Sequence, residues 1–167
     1  ILNLYPKKNI LRVKREISNT GIVHTVGTAV TFENYVFDIE KSLKDKIESI
    51  KEEAETAVRQ GSTCLVLSDK NISNKKASIP SILTVGAVHS HLVKHGLRGY
   101  CSLNVECSDA MDTHSFAILI GVGATTVNPY LAIDSIYQRF EKKLFGQSDF
   151  KTCVNKFKKS IDAGLLK

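Results

Sequence analysis

Four polar residues, Asp69, Glu106, His114 and Asn128, have the types and positions from which a small site could be assembled. Asp69, Glu106 and Asn128 each lie just beyond a short apolar run of strand length, and His114 opens the helical pattern that follows Glu106. In a parallel sheet, ligands bind in the crevice beyond the carboxyl ends of the strands, so these four residues are expected to share one rim. A carboxylate pair beside a histidine could serve acid–base chemistry or hold a metal ion. Each residue also has a structural alternative: Asp69 capping a turn, His114 in the first turn of a helix, Asn128 ahead of a proline in a turn. The four are therefore candidates for ligand binding, and no residue is assigned a catalytic role.

Three other groups invite a chemical reading. His91 and His95 stand four apart on one helical face while His89 points elsewhere. No HExxH accompanies them, and a helix C-terminus favours histidine for capping or packing, so no metal site is expected there. Gly121-Val122-Gly123 has the composition of a phosphate loop but the wrong order, because it follows a helix and enters a strand, whereas a dinucleotide fingerprint follows a strand and opens a helix. It is read as a tight turn. Cys64, Cys101, Cys107 and Cys153 form no CxxC pair or metal-ligand spacing, and Cys64 and Cys101 fall in apolar runs, where a reduced thiol packs as a small hydrophobe. That favours a reducing, cytoplasmic setting.

The elements that would position the rim follow from periodicity. Residues 24–32 alternate as a half-buried strand, and 33–38 are read as a connection. Ile39, Leu43, Ile47, Ile50, Ala54, Ala57 and Val58 recur at steps of three and four, the stripe of an amphipathic helix that Gly61 ends. Residues 63–67 form a continuous apolar run expected of a strand buried on both faces. A polar loop over 70–76 leads to Pro80, which opens a helix ending at His95-Gly96. A strand over 100–105, a helix over 113–120 and a short strand over 125–127 follow. Two amphipathic helices close the chain, one on Ile133, Ile136, Tyr137, Phe140 and Leu144, the other on Phe150, Val154, Phe157 and Ile161. The order β-α-β-α-β-α-β-α-α implies an α/β fold: a mainly parallel sheet covered by helices, either part of a barrel or an open three-layer arrangement.

At 167 residues, with 43% hydrophobic and 24% charged residues, the chain suits one domain over 1–167, in which 1–23 is an N-terminal extension of unclear period. No apolar run approaches the roughly 18 residues that span a bilayer, and no leader pattern opens the chain, so no membrane association is expected. The net charge of +6 is spread along the chain and not gathered into a stripe with interleaved aromatics, which argues against a nucleic-acid partner.

The segments LVLSDKN at 65–71, IPSILTVGAVHSHLVKHGLR at 79–98 and NVECSDAMDTHSFAILIGVGATTVNPYLA at 104–132, in this order and spacing, resemble the central domain of the glutamate synthase large chain. A weaker match extends from TVGTAVTF at 25–32 to AGLLK at 163–167. In that family an amidotransferase domain hydrolyses glutamine with a terminal cysteine, ammonia travels an internal tunnel, and an FMN-bearing barrel with an iron–sulfur cluster delivers it to 2-oxoglutarate. The resemblance implies a domain of glutamate biosynthesis that joins the other two and lines the ammonia path, is not catalytic alone, and has the amidotransferase and FMN domains as partners, in the same chain or separately encoded. FMN and the cluster would belong to the FMN domain, so no cofactor is expected in this chain. Ile1 stands where a nucleophilic cysteine would be needed, Lys70 where the family usually has arginine, and Ser90 where a second polar or histidine residue is common. The other reading of the same residues is an independent small-metabolite-binding or enzymatic α/β domain that uses the strand-end rim.

Overall fold

The computed structural model describes residues 29–40 and 42–167. The expected extension over 1–23 and the start of the first predicted strand lie outside the described residues. Four parallel strands form the main sheet: β1 (Ala29–Asn34), β3 (Ser62–Ser68), β5 (Ser102–Glu106) and β6 (Thr126–Asn128), in the spatial order β1-β3-β5-β6. The strands are laid down in the order in which they occur, so each crossover helix returns the chain to the adjacent position. The sheet is open, and of the two architectures left standing by the sequence this is the non-barrel one.

The helix α1 (Leu43–Arg59) forms because Ser42 caps it, its hydroxyl accepting from the Asp45 amide, and because Ile50, Ala54, Ala57 and Val58 make one buried stripe. It begins four residues later than the apolar pattern suggests: Ile39 lies ahead of the cap and is exposed. Gly61, with φ of +95°, turns the chain into β3. The helix α2 (Ser81–Lys94) opens after Pro80 and closes at His95 and Gly96, as its punctuation predicts. A short 3₁₀ turn (Arg98–Tyr100) then leads into β5, so that strand starts two residues later than expected. Then come α3 (Thr113–Gly121), α4 (Tyr130–Glu141) and α5 (Phe150–Leu165), with Asp112 and Asp149 as the N-caps of α3 and α5. The aromatic rings of Tyr137 and Phe140 on α4 meet Phe150 on α5 at centroid distances of 5.5 and 5.9 Å.

One element is a correction. The stretch read as a connection over 33–38 holds the end of β1 and a second strand, β2 (Val36–Asp38), which pairs antiparallel with β4 (Lys76–Ser78), inside and just beyond the predicted polar loop. Three-residue strands carry too few positions to show a period, and the ribbon is held instead by Tyr35, fully buried, whose carbonyl accepts from the Ile79 amide. The core between sheet and helices is built on Leu65, Leu67, Leu103 and Val105 from the strands, with Val85, Val88 and Phe116 from the helices.

Candidate functional site at the strand ends

The parallel register puts Ser68, Glu106 and Asn128 side by side at the exits of β3, β5 and β6. Asp69 follows immediately. Backbone bonds continue the ladder past the strands: the Asp69 amide donates to the Glu106 carbonyl at 3.3 Å and the Cys107 amide to the Asn128 carbonyl at 3.1 Å. Three of the four predicted rim residues are therefore assembled as expected from strand order alone. His114 is not brought into this network: it is exposed in the first turn of α3, two residues beyond Asp112, the cap of that helix.

The Glu106 carboxylate is buried and engaged on both oxygens. Its Oε1 accepts from Lys70 Nζ at 2.9 Å and from Asn128 Nδ2 at 3.4 Å, and its Oε2 accepts from Ser68 Oγ at 3.0 Å. The Lys70 ammonium also lies 5.3 Å from the centre of the Tyr130 ring. Beneath the rim, the Tyr35 hydroxyl donates to the Glu106 carbonyl at 3.1 Å. Burial first, and then the negative field of Asp69, push the Tyr35 phenol far above its ordinary range, so it is a donor at any physiological pH.

Asp69 is 1% exposed. Its Oδ2 accepts from the Ser108 amide at 2.9 Å and from the Ser108 hydroxyl at 2.7 Å, which pins the loop after β5 against the loop after β3. Its Oδ1 is buried and has no hydrogen-bond partner among the described residues. The neighbouring Tyr130 phenol is held above its ordinary range, by burial and then by Asp69. In the same loop Asp109 reaches back to α2, accepting from the Ser81 amide at 3.0 Å and the Ser81 hydroxyl at 2.7 Å; it caps that helix from a distant part of the chain. Ser68, Lys70, Ser108, Asp109 and Tyr130 were not among the sequence candidates. Tyr130 alone carried a usable signal, following Asn128-Pro129 at a strand exit.

At the opposite end of the sheet Arg98 gathers the strand entries. Its Nη1 donates to the Cys101 carbonyl at 2.6 Å, Nη2 to the Gly123 carbonyl at 2.8 Å, and Nε to His89 Nδ1 at 3.1 Å. Gly123 has φ of +114°, and a Cβ there would overlap the His89 ring. The glycine pair is thus a tight helix-to-strand turn, as its order implied, and His89 is a packing residue. Cys101, Cys107 and Cys153 are buried and Cys64 is half-buried, all unpaired. Burial raises the thiols of Cys64, Cys101 and Cys107 above their usual range, so these are packing groups and not nucleophiles.

Among the described residues no helix is long and apolar enough to cross a membrane. The sequence pattern described as glutamate synthase central domain matches residues 7–167. The large chain of the NADPH glutamate synthase of Azospirillum brasilense is 47% identical over 127 residues, a stretch that is 76% of this chain and 8% of that protein. The corresponding large chain of Bacillus subtilis (strain 168) is 40% identical over 130 residues, 78% of this chain and 8% of that protein. The chloroplastic ferredoxin-dependent glutamate synthase of Spinacia oleracea is 39% identical over 146 residues, 78% of this chain and 9% of that protein. The matched stretch is thus under a tenth of each of these relatives, in which it is one part of a far longer chain. Matched along nearly its whole length, this chain belongs to the glutamate synthase central-domain family.

Proposed function

We propose that residues 1–167 act as the central domain of a glutamate synthase large chain, a cofactor-free scaffold that joins an amidotransferase domain to an FMN-bearing oxidoreductase domain and lines the ammonia path between them, with no turnover by itself. The observation that carries this reading is the state of the Glu106 carboxylate. A general acid, base or nucleophile needs a free face toward its substrate, whereas Glu106 is spent on Ser68, Lys70 and Asn128 and ties the ends of β3 and β6 and the Lys70 loop together. The thiols point the same way: they are spread over β3, both ends of β5, and α5, which does not fit an iron–sulfur ligand set, and that chemistry is assigned to the FMN domain. Exposed apolar side chains at Tyr137, Leu144 and Phe145 offer area of the kind an adjoining domain covers.

The test is a purification of the chain alone, followed by its visible spectrum and an assay of glutamate formation from 2-oxoglutarate with glutamine or ammonia and a reductant, NADPH or reduced ferredoxin. A colourless, inactive and folded protein is expected; stoichiometric flavin or turnover would overturn the reading. One observation favours a second reading, an independent metabolite-binding domain: the unpartnered, buried Oδ1 of Asp69 is the type of acceptor that a bound cationic or hydroxyl group satisfies. A ligand whose binding disappears in Asp69→Asn while the fold persists would select that reading.

A further inference from the structure

The sequence placed His91 and His95 on one face of α2 and found no third ligand for them. The fold supplies one. Glu55 of α1 lies across from the two imidazoles, with its Oε2 2.6 Å from His91 Nε2 and 3.7 Å from His95 Nδ1. One ligand atom from each of the three residues falls within 4.8 Å of the other two. We propose that Glu55, His91 and His95 form a binding site for a divalent transition-metal ion of the Zn²⁺ class, on the helical face of the domain and apart from the strand-end rim.

The division of labour within Glu55 supports this. Its Oε1 accepts from Arg59, from Nε at 2.8 Å and Nη2 at 2.7 Å, which fixes the carboxylate plane and leaves Oε2 as the oxygen facing both imidazoles. Tetrahedral zinc with bonds of about 2.0–2.1 Å holds its ligand atoms about 3.3 Å apart, and the two observed separations, 2.6 and 3.7 Å, bracket that edge. Binding replaces the His91–Glu55 contact and turns the His95 ring away from the His91 carbonyl oxygen, now 2.8 Å from its Nδ1. The side chains are 21%, 14% and 32% exposed for Glu55, His91 and His95, so an ion can enter from solvent and complete its shell with water. Two imidazoles and one carboxylate select a borderline ion over Mg²⁺ or Ca²⁺, which demand all-oxygen shells. The neighbouring guanidinium opposes a second positive charge, so the site is one of modest affinity.

Isothermal titration of the purified protein with ZnCl₂, with the absorption of bound Co²⁺ as a probe of geometry, tests the proposal. One saturable Zn²⁺ is expected per chain, with a Kd raised more than about 10-fold in His91→Gln/His95→Gln, because even substitutions outside the ligand shell cost that much. Glu55→Gln, which keeps the side chain's size and can still accept from His91, gives the same loss with the helices intact by circular dichroism. His114→Ala, on the exposed start of α3, leaves the affinity unchanged. Absence of saturable Zn²⁺ binding, or a smaller loss in both ligand variants, overturns the assignment.

Discussion

Replacing Glu106 separates a structural carboxylate from a catalytic one, because the two respond oppositely in stability. In Glu106→Gln the amide oxygen still accepts from the Lys70 ammonium but the acceptor's negative charge is lost, and the NH₂ in place of Oε2 can only donate, so Ser68 Oγ keeps its contact by turning to accept. A bond to a charged group contributes about 1.5–3 kcal/mol, and removing one of the two charges moves it from the upper to the lower end of that range. Lys70 is 35% exposed, so solvent screens the difference, and about 1 kcal/mol of destabilisation is expected. Glu106→Ala removes every acceptor at once. It loses the whole Lys70 bond, about 2 kcal/mol after screening, and the bond from Ser68 Oγ, about 1, and leaves the buried Asn128 Nδ2 without this acceptor, about another 1, for a total of about 4 kcal/mol. Equilibrium unfolding in urea, with an unchanged m-value, measures both. A functional carboxylate kept at a cost to the fold gives the reverse, since its removal commonly stabilises. A Glu106→Ala protein as stable as the parent, or more stable, would refute the argument that this group is spent on holding the strand ends together.

Two further outcomes follow from local geometry. Gly123→Ala forces a side chain into a left-handed backbone and into the His89 ring, and should cost about 2–4 kcal/mol in urea unfolding; part of it should return in Gly123→Ala/His89→Ala, where the overlap is gone. The capping carboxyls of Asp112 and Asp149 are held below their usual range, by their bonds to Ser115 and Thr152 respectively. A depressed folded-state value means stability that is present above the unfolded value, near about pH 4, and lost as pH falls through the folded one. In Asp112→Asn/Asp149→Asn the caps persist without titrating, so the acid decline in thermal midpoint should be shallower than in the parent.

The parallel sheet was legible because its strands are continuous apolar runs joined by helices with clear caps and stops, as at Gly61, Pro80 and Gly96. Strand order then placed Asp69, Glu106 and Asn128 together without any knowledge of distance. The β2–β4 ribbon was not legible, since three residues carry no period and its anchor, Tyr35, is defined by contacts with Ser68, Ile79 and Glu106 in distant parts of the chain. The same reason hid Ser108 and Asp109, whose partners are 39 and 28 residues away. Nothing local marks Glu55: its meeting with His91 depends on how α1 lies against α2, which no local pattern encodes. His114 stands outside the hydrogen-bonded rim because the opening turn of a helix was counted with the strand exits.

Coupling is the most direct test of the scaffold. With amidotransferase and FMN domains of a glutamate synthase and a reductant for the flavin supplied together, glutamine consumed and glutamate formed from 2-oxoglutarate are measured with and without this chain. The account predicts that ammonia reaches the FMN domain in step with glutamine hydrolysis only when the chain is present, and escapes to solvent when it is absent. Equal coupling in both mixtures would contradict it.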